Sequence, residues 1–116
     1  VRSIAKVNED ESLTFFCAIE AGVVLTVAKG LDVVESVRQA FDDLREELGE
    51  IQLTIGCDCI LRSLEYDEKG LRDSVAEIMT RNQVVGFATY GEQFNAMHVN
   101  QTLTGVAIGV RQGNRA

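Results

Sequence analysis

The chain has 116 residues, of which 46% are hydrophobic and 25% are charged, a composition typical of one globular domain. Its net charge of -7 comes from 18 acidic and 11 basic residues, and it has none of the basic clusters by which proteins bind nucleic acids or anionic membranes. The sequence contains no apolar run long enough for a transmembrane helix, and its three cysteines are too few and too odd in number for a disulfide framework.

We expect residues 1–116 to form a single domain that is a fragment of a longer protein. The chain begins with Val1 rather than Met, and it shows no signal peptide. The cysteines lie in apolar, strand-like segments, which is typical of reduced and buried thiols. The sequence therefore predicts a cytoplasmic location.

The first thirty residues are predicted to hold three strands. Residues 2–7 form a short first strand, and the polar sequence NEDES follows as a turn. The segment LTFFCAI, residues 13–19, has apolar side chains on both faces, as in a strand that is covered on both sides. A turn with Gly22 leads into VVLTVAKG, so residues 13–28 are predicted to form a β-hairpin.

An amphipathic helix comes next and ends before Gly49. Asp32 and Glu35 have the spacing of a capping box, in which each side chain binds a free backbone N–H at the start of the helix. Apolar residues recur at helical spacing, namely Val33, Val34, Val37, Phe41, Leu44 and Leu48. The acidic residues between them indicate a solvated helix face.

The second half of the chain alternates strands and helices. Residues 51–60 read as an inner strand, and residues 61–81 as a helix that Gly70 breaks or bends. Residues 83–90 form another inner strand, and residues 102–110 form the last one. The predicted order is β-β-β-α-β-α-β-β.

This order predicts an α+β (α/β-like) fold, with a mixed β-sheet and helices packed on at least one face. In the last strand Gly105, Ala107 and Gly109 share one face, where another element can pack closely.

A polar loop follows the strand that ends at Tyr90. Glu92 lies just beyond the carboxyl end of this inner strand, where open α/β sheets commonly bind ligands. Its carboxylate could accept hydrogen bonds from an ammonium or hydroxyl group, while Tyr90 supplies an aromatic wall and Gly91 lets a ligand approach the backbone. Further donors and acceptors come from His98, Asn100 and Gln101. The alternative is that these groups satisfy one another and cap the loop.

Arg62 follows another inner strand at the same predicted sheet edge. It could form an ion pair with Glu92 or bind a ligand carboxylate. Cys57 and Cys59, with the distant His98, fall short of the four ligands of a structural zinc site. No catalytic motif involves His98, although a lone imidazole can be an axial haem ligand.

Three short motifs occur in order along the chain. They are a C-x-x-R step, a glycine-phenylalanine strand that ends in Y-G-E, and an H-x-N-Q-T segment before the last strand. The residues are Cys59 and Arg62; Gly86, Phe87, Tyr90, Gly91 and Glu92; and His98, Asn100, Gln101 and Thr102. In this order they resemble the C-terminal domain of the FIST family (F-box and intracellular signal transduction proteins).

The resemblance implies a sensory domain of a signal transduction protein, with small molecules such as amino acids as ligands. We expect this binding to be non-catalytic, and we predict no cofactor or metal. Glu92 would bind the ammonium group of an amino acid and Arg62 its carboxylate. The partners implied are an N-terminal FIST domain and a signalling output module of the same protein. A haem- or metal-based sensor using His98 is one alternative. A structural or dimerising domain is the other, which an exposed apolar face on the last strand would favour.

Overall fold

The structure is a computed structural model that describes residues 1–110. The helices are α1 (Val33–Leu48), α2 (Ile60–Lys69) and α3 (Arg72–Arg81). The strands are β1 (Ile4–Val7), β2 (Leu13–Phe15), β3 (Glu50–Cys59), β4 (Val84–Thr89), β5 (Glu92–Phe94), β6 (Met97–Val99) and β7 (Leu103–Val110). Strands and helices are interleaved along the chain, which confirms the predicted α+β class.

The central sheet is mixed, with the strand order β4-β3-β7. β3 runs parallel to β4 and antiparallel to β7. The parallel pair is joined through α2 and α3, because parallel neighbours need a crossover connection. The short strands form two separate antiparallel pairs, β1 with β2 and β5 with β6.

Local signals determine where the helices begin and end. The side chain of Asp32 accepts a hydrogen bond from the backbone N–H of Glu35 at 2.8 Å, which confirms the predicted N-cap of α1. The Glu35 carboxylate is paired with Arg38, so the second half of a capping box is not formed. Gly49 and Gly70 end α1 and α2 with positive φ angles of 82° and 65°, which glycine adopts without strain.

The helices cover one face of the central sheet. Two apolar clusters lie on this face: Val37, Phe41, Ile51 and Ile78 in one, and Val33, Tyr66 and Val75 in the other. The last turn of α1 packs against β7, where a Cβ atom on Gly109 would lie 2.7 Å from Cβ of Leu48. The close packing predicted for the small-residue face of this strand is therefore confirmed at Gly109.

The opposite face of the sheet is uncovered within the part of the chain that the structure describes. Its large apolar side chains are 46–65% exposed. We call this surface the open sheet face; it consists of Ile55, Val85, Phe87, Val106, Ile108 and Val110.

The prediction of a β-hairpin over residues 13–28 is wrong. β2 ends at Phe15 and pairs with β1, and no strand is described between Phe15 and Val33. The segment VVLTVA, residues 23–28, has high β-propensity but no neighbouring strand. Because β-propensity mainly reflects packing against neighbouring strands, such a segment does not form a strand without one. The hairpin of β5 and β6, turning at Asn95 and Ala96, is an element that we did not predict.

Candidate ligand site at the ends of β3 and β4

Two clusters of polar side chains lie where the parallel strands β3 and β4 end. Cys59 and Thr89 are paired at the last position of the two strands. The chain therefore leaves both strands at the same edge of the sheet, where open α/β sheets leave a crevice for ligands. The first cluster surrounds Glu92, and the second surrounds Arg62.

Glu92 is buried, with 2% of its surface exposed. Its carboxylate accepts hydrogen bonds from the hydroxyl groups of Thr89 and Thr102, the latter at 2.5 Å. None of the ion pairs described for residues 1–110 involves Glu92. This carboxylate is shielded from water and has only two hydroxyl groups as hydrogen-bond donors. Because burying a charged group costs free energy, an additional donor would stabilise it.

Asn100 is a second buried acceptor in the same loop. Its side chain is fully buried, and its Nδ2 makes a long contact of 3.5 Å with the carbonyl oxygen of Tyr90. Its Oδ1 has no hydrogen-bond partner among the described residues. Buried polar atoms are almost always paired in native proteins, so this oxygen is also available to a donor.

The remaining loop residues lie nearer the surface. The Tyr90 side chain is exposed, and the exposed imidazole of His98 occupies the space that a side chain on Gly91 would need. Gly91 therefore makes room for His98. The side chain of Gln101 accepts a hydrogen bond from the Ser3 hydroxyl at 3.2 Å, which ties the loop to the N-terminus.

The second cluster joins three side chains around the start of α2. Arg62 donates from Nε to Oδ1 of Asp58 at 2.7 Å, and the Tyr66 hydroxyl donates to Oδ2 at 3.0 Å. The Arg62 guanidinium lies 5.6 Å from the centre of the Tyr66 ring, in a cation–π arrangement. Burial raises the pKa of the Tyr66 hydroxyl, and the Asp58 carboxylate adds to this, while Arg62 opposes it. The Nη2 atom of Arg62 is buried without a partner among the described residues.

The ion pair between Arg62 and Glu92, one of the two roles that the sequence left open for Arg62, is not formed; Arg62 binds Asp58 instead. Arg62 lies four positions after Asp58, so the first turn of α2 brings the guanidinium back to the end of β3. The two clusters are still neighbours, because the Thr89 hydroxyl that binds Glu92 also contacts the Asp58 carbonyl oxygen at 3.4 Å.

Sequence reasoning did not assign Asp58, Tyr66, Thr89 or Thr102 to the site. The spacing of four between positions 58, 62 and 66 was the signal that could have identified the second cluster. Cys59 and Cys17 are buried free thiols, as predicted, whereas Cys57 is partly exposed. Within residues 1–110 no group of three or more His, Cys, Asp or Glu side chains is placed to hold a metal ion.

Comparison with protein families gives one match. The profile of the FIST C domain matches residues 1–95, which is most of the chain. The chain belongs to the FIST C domain family. This family is associated with sensing in signal transduction. No curated protein and no solved structure matches the chain.

The FIST C match contains one cluster and part of the other. Arg62 lies inside the matched range, as do Tyr90, Gly91 and Glu92. His98, Asn100, Gln101 and Thr102 follow it, yet Thr102 binds Glu92 and Asn100 contacts Tyr90. The described part of this FIST C domain contains no helix with the length and apolar character needed to cross a membrane.

Proposed function

We propose that this FIST C domain is a non-catalytic, cytoplasmic sensory domain that binds a small molecule carrying an ammonium group. The observation that supports this is the buried Glu92 carboxylate, which is held by hydroxyl groups and has no cationic partner among the described residues. An ammonium group supplies both the missing positive charge and three hydrogen-bond donors. Asn100 Oδ1 offers a second acceptor in the same loop.

An amino acid carries the two chemical groups that these clusters would bind. Its ammonium group would bind Glu92, and its carboxylate would bind the unpaired Nη2 atom of Arg62. Asp58 holds Arg62 through Nε, which leaves the other end of the guanidinium available for a ligand. The contact between Thr89 and Asp58 keeps the two clusters side by side.

Ligand binding at this edge would act by population shift. A ligand changes the conformational equilibrium of a domain only as far as it binds one state better than the other. Here the ligand would hold the start of β5 and the β6–β7 connection together through Glu92 and Asn100. An N-terminal FIST domain and an output module of the same protein would then detect that change.

Calorimetry and thermal-shift measurements with the amino acids, together with matched amines and carboxylic acids, test this proposal. A ligand that binds the folded state raises the melting temperature. We expect amines that lack the carboxylate to retain part of the binding, and carboxylic acids that lack the ammonium group to lose most of it. The opposite preference, or no binding by any of these compounds, would contradict the proposal.

Glu92→Gln tests the residue assignment. Losing a charge-assisted hydrogen bond of about 1.5–3 kcal/mol would weaken ligand binding about 10- to 150-fold. Arg62→Ala should weaken binding of amino acids but not of simple amines. Glu46→Gln, an exposed change on α1, is the matched control and should bind as the unaltered chain does. Unchanged affinity in folded Glu92→Gln, checked by circular dichroism, would exclude Glu92 as the ammonium site.

A further inference from the structure

We propose that the open sheet face is the interface through which two copies of this chain pair, sheet against sheet. Six large apolar side chains on three neighbouring strands form this face, and each of them is 46–65% exposed. A contiguous apolar patch of this kind is large for a soluble monomer, and such patches often mark interaction sites.

The strand register makes the face continuous. Ile55 on β3 lies between Val85 on β4 and Val106 on β7. Cys57 lies beside Phe87 in the next row of the same face. Alternate side chains point to the other face, where the helices already pack. A shift in strand register that moved the six apolar residues under the helices would move the present core residues out to the surface.

The size of the patch suits a weak dimer. Six half-exposed apolar side chains present an area on the order of 500 Å², near the upper end of patches found on monomers. Two such faces together would bury about 1,000 Å², the lower limit for a specific protein–protein interface. We therefore expect a dimer with a dissociation constant in the micromolar range.

The charge distribution favours a second copy as the partner. The middle of the open sheet face carries no charged side chain. Glu50, which pairs with Val110, lies at the end of the face, where its exposed carboxylate can stay in water when two faces pair. The acidic helix α1 packs on the opposite side of the sheet, away from this interface. Two such faces can pack about 10 Å apart around a two-fold axis, as the sheets of a β-sandwich do.

Salt dependence is a signature of this arrangement. Each copy has a net charge of -7, so the copies repel one another at long range while an apolar surface holds them together. Salt screens the repulsion and leaves the apolar contact intact. The dimer should therefore become stronger as the salt concentration rises, whereas a dimer held by ion pairs would become weaker.

Analytical ultracentrifugation of the chain, at low and at high salt, tests the proposal. We expect a monomer–dimer equilibrium that Phe87→Lys and Val106→Lys each shift to monomer by at least about tenfold. Both positions are exposed, so the variants should remain folded. A chain that stays monomeric at every concentration would overturn the proposal.

Val24→Lys is the matched control, because Val24 is exposed and apolar but lies in the unpaired segment 23–28. It should leave the dimer unchanged. If Val24→Lys abolishes pairing and Phe87→Lys does not, that segment holds the copies together and the proposed interface is wrong.

The thiol of Cys57 gives a readout that needs no substitution. Cys57 is partly exposed beside Phe87, whereas Cys17 and Cys59 are buried. Its reaction with a thiol reagent should slow as the protein concentration rises through the dimerisation range. A rate independent of concentration would place the interface elsewhere and overturn the proposal.

Discussion

Arg62 donates a hydrogen bond from Nε to Oδ1 of Asp58 at 2.7 Å, across the junction between β3 and α2. The two side chains are only 12% and 20% exposed, so water screens this ion pair far less than the other pairs described. The same carboxylate accepts the Tyr66 hydroxyl, so one side chain fixes the position of two others. The pair therefore orients the guanidinium that we propose as the carboxylate-binding group.

Asp58→Asn should lower the free energy of unfolding by about 2 kcal/mol, because it leaves the largely buried Arg62 charge without its partner. Urea denaturation followed by circular dichroism measures this change. Asp42→Asn removes the corresponding partner of Arg45, but there the side chains are 52% and 42% exposed. This control should change the stability by less than about 0.5 kcal/mol. Equal losses in the two variants would show that burial of the Asp58 pair contributes nothing.

Stability should fall as the pH rises above 10.0, the ordinary pKa of tyrosine. Burial raises the pKa of Tyr66 in the folded chain, so above that pH the unfolded chain has lost a proton that the folded chain still binds. The contribution is complete below the unfolded-state pKa and is lost as the pH rises toward the folded-state value.

Urea denaturation across the alkaline range measures this slope, and Tyr66→Phe should make it shallower, because phenylalanine has no proton to lose. Tyr90→Phe, at an exposed side chain, is the matched control and should leave the slope as it is. A slope that Tyr66→Phe does not change would mean that Tyr66 ionises alike in both states.

Gly109→Ala should destabilise the fold by about 2 kcal/mol, within the range known for overpacked sites. The added Cβ would lie 2.7 Å from Cβ of Leu48 and 2.9 Å from its backbone oxygen, so α1 or β7 would have to move. Gly30→Ala is the control, since a Cβ there meets nothing within 4 Å. Thermal unfolding should show a lower midpoint for Gly109→Ala alone. Equal midpoints for the two variants would contradict the close contact between α1 and β7.

Asp32→Ala should lower the free energy of unfolding by about 1 kcal/mol, because it removes the side chain that caps α1. Asp32→Asn keeps an oxygen acceptor and should restore most of the loss. Glu47→Ala, an exposed change inside the same helix, should have little effect. Chemical denaturation measures the free energy of unfolding of the three variants and so ranks their stabilities. A loss in Asp32→Asn as large as in Asp32→Ala would show that charge, rather than capping, stabilises this end of α1.

Elements with strong local signals could be predicted from the sequence. Asp32, the apolar stripe of α1 and Gly49 define the first helix, since a cap, a periodic face and a C-terminal glycine each act within a few residues. The break at Gly70 was predicted for the same reason. Residues 23–28 have equally strong β-propensity, but a strand also needs a neighbour, and no local signal shows whether one lies within reach.

The same difference between local signals and long-range contacts applies to the candidate site. The sequence placed Glu92 beyond the end of β4 and Arg62 beyond the end of β3, because element boundaries determine those positions. It did not determine which side chains they would contact. Arg62 could bind either of two carboxylates, and Asp58 is closer because it lies one helical turn away.

The sequence by itself determined the fold class, the first helix and the residue types that gather at one edge of the sheet. The tertiary structure alone decided that Thr89 and Thr102 bind the Glu92 carboxylate, and that one face of the sheet is left uncovered. The physical reason is the range of the interactions. Helix caps and periodic faces depend on residues a few positions apart, whereas buried hydrogen bonds and covered faces depend on segments that only folding brings together.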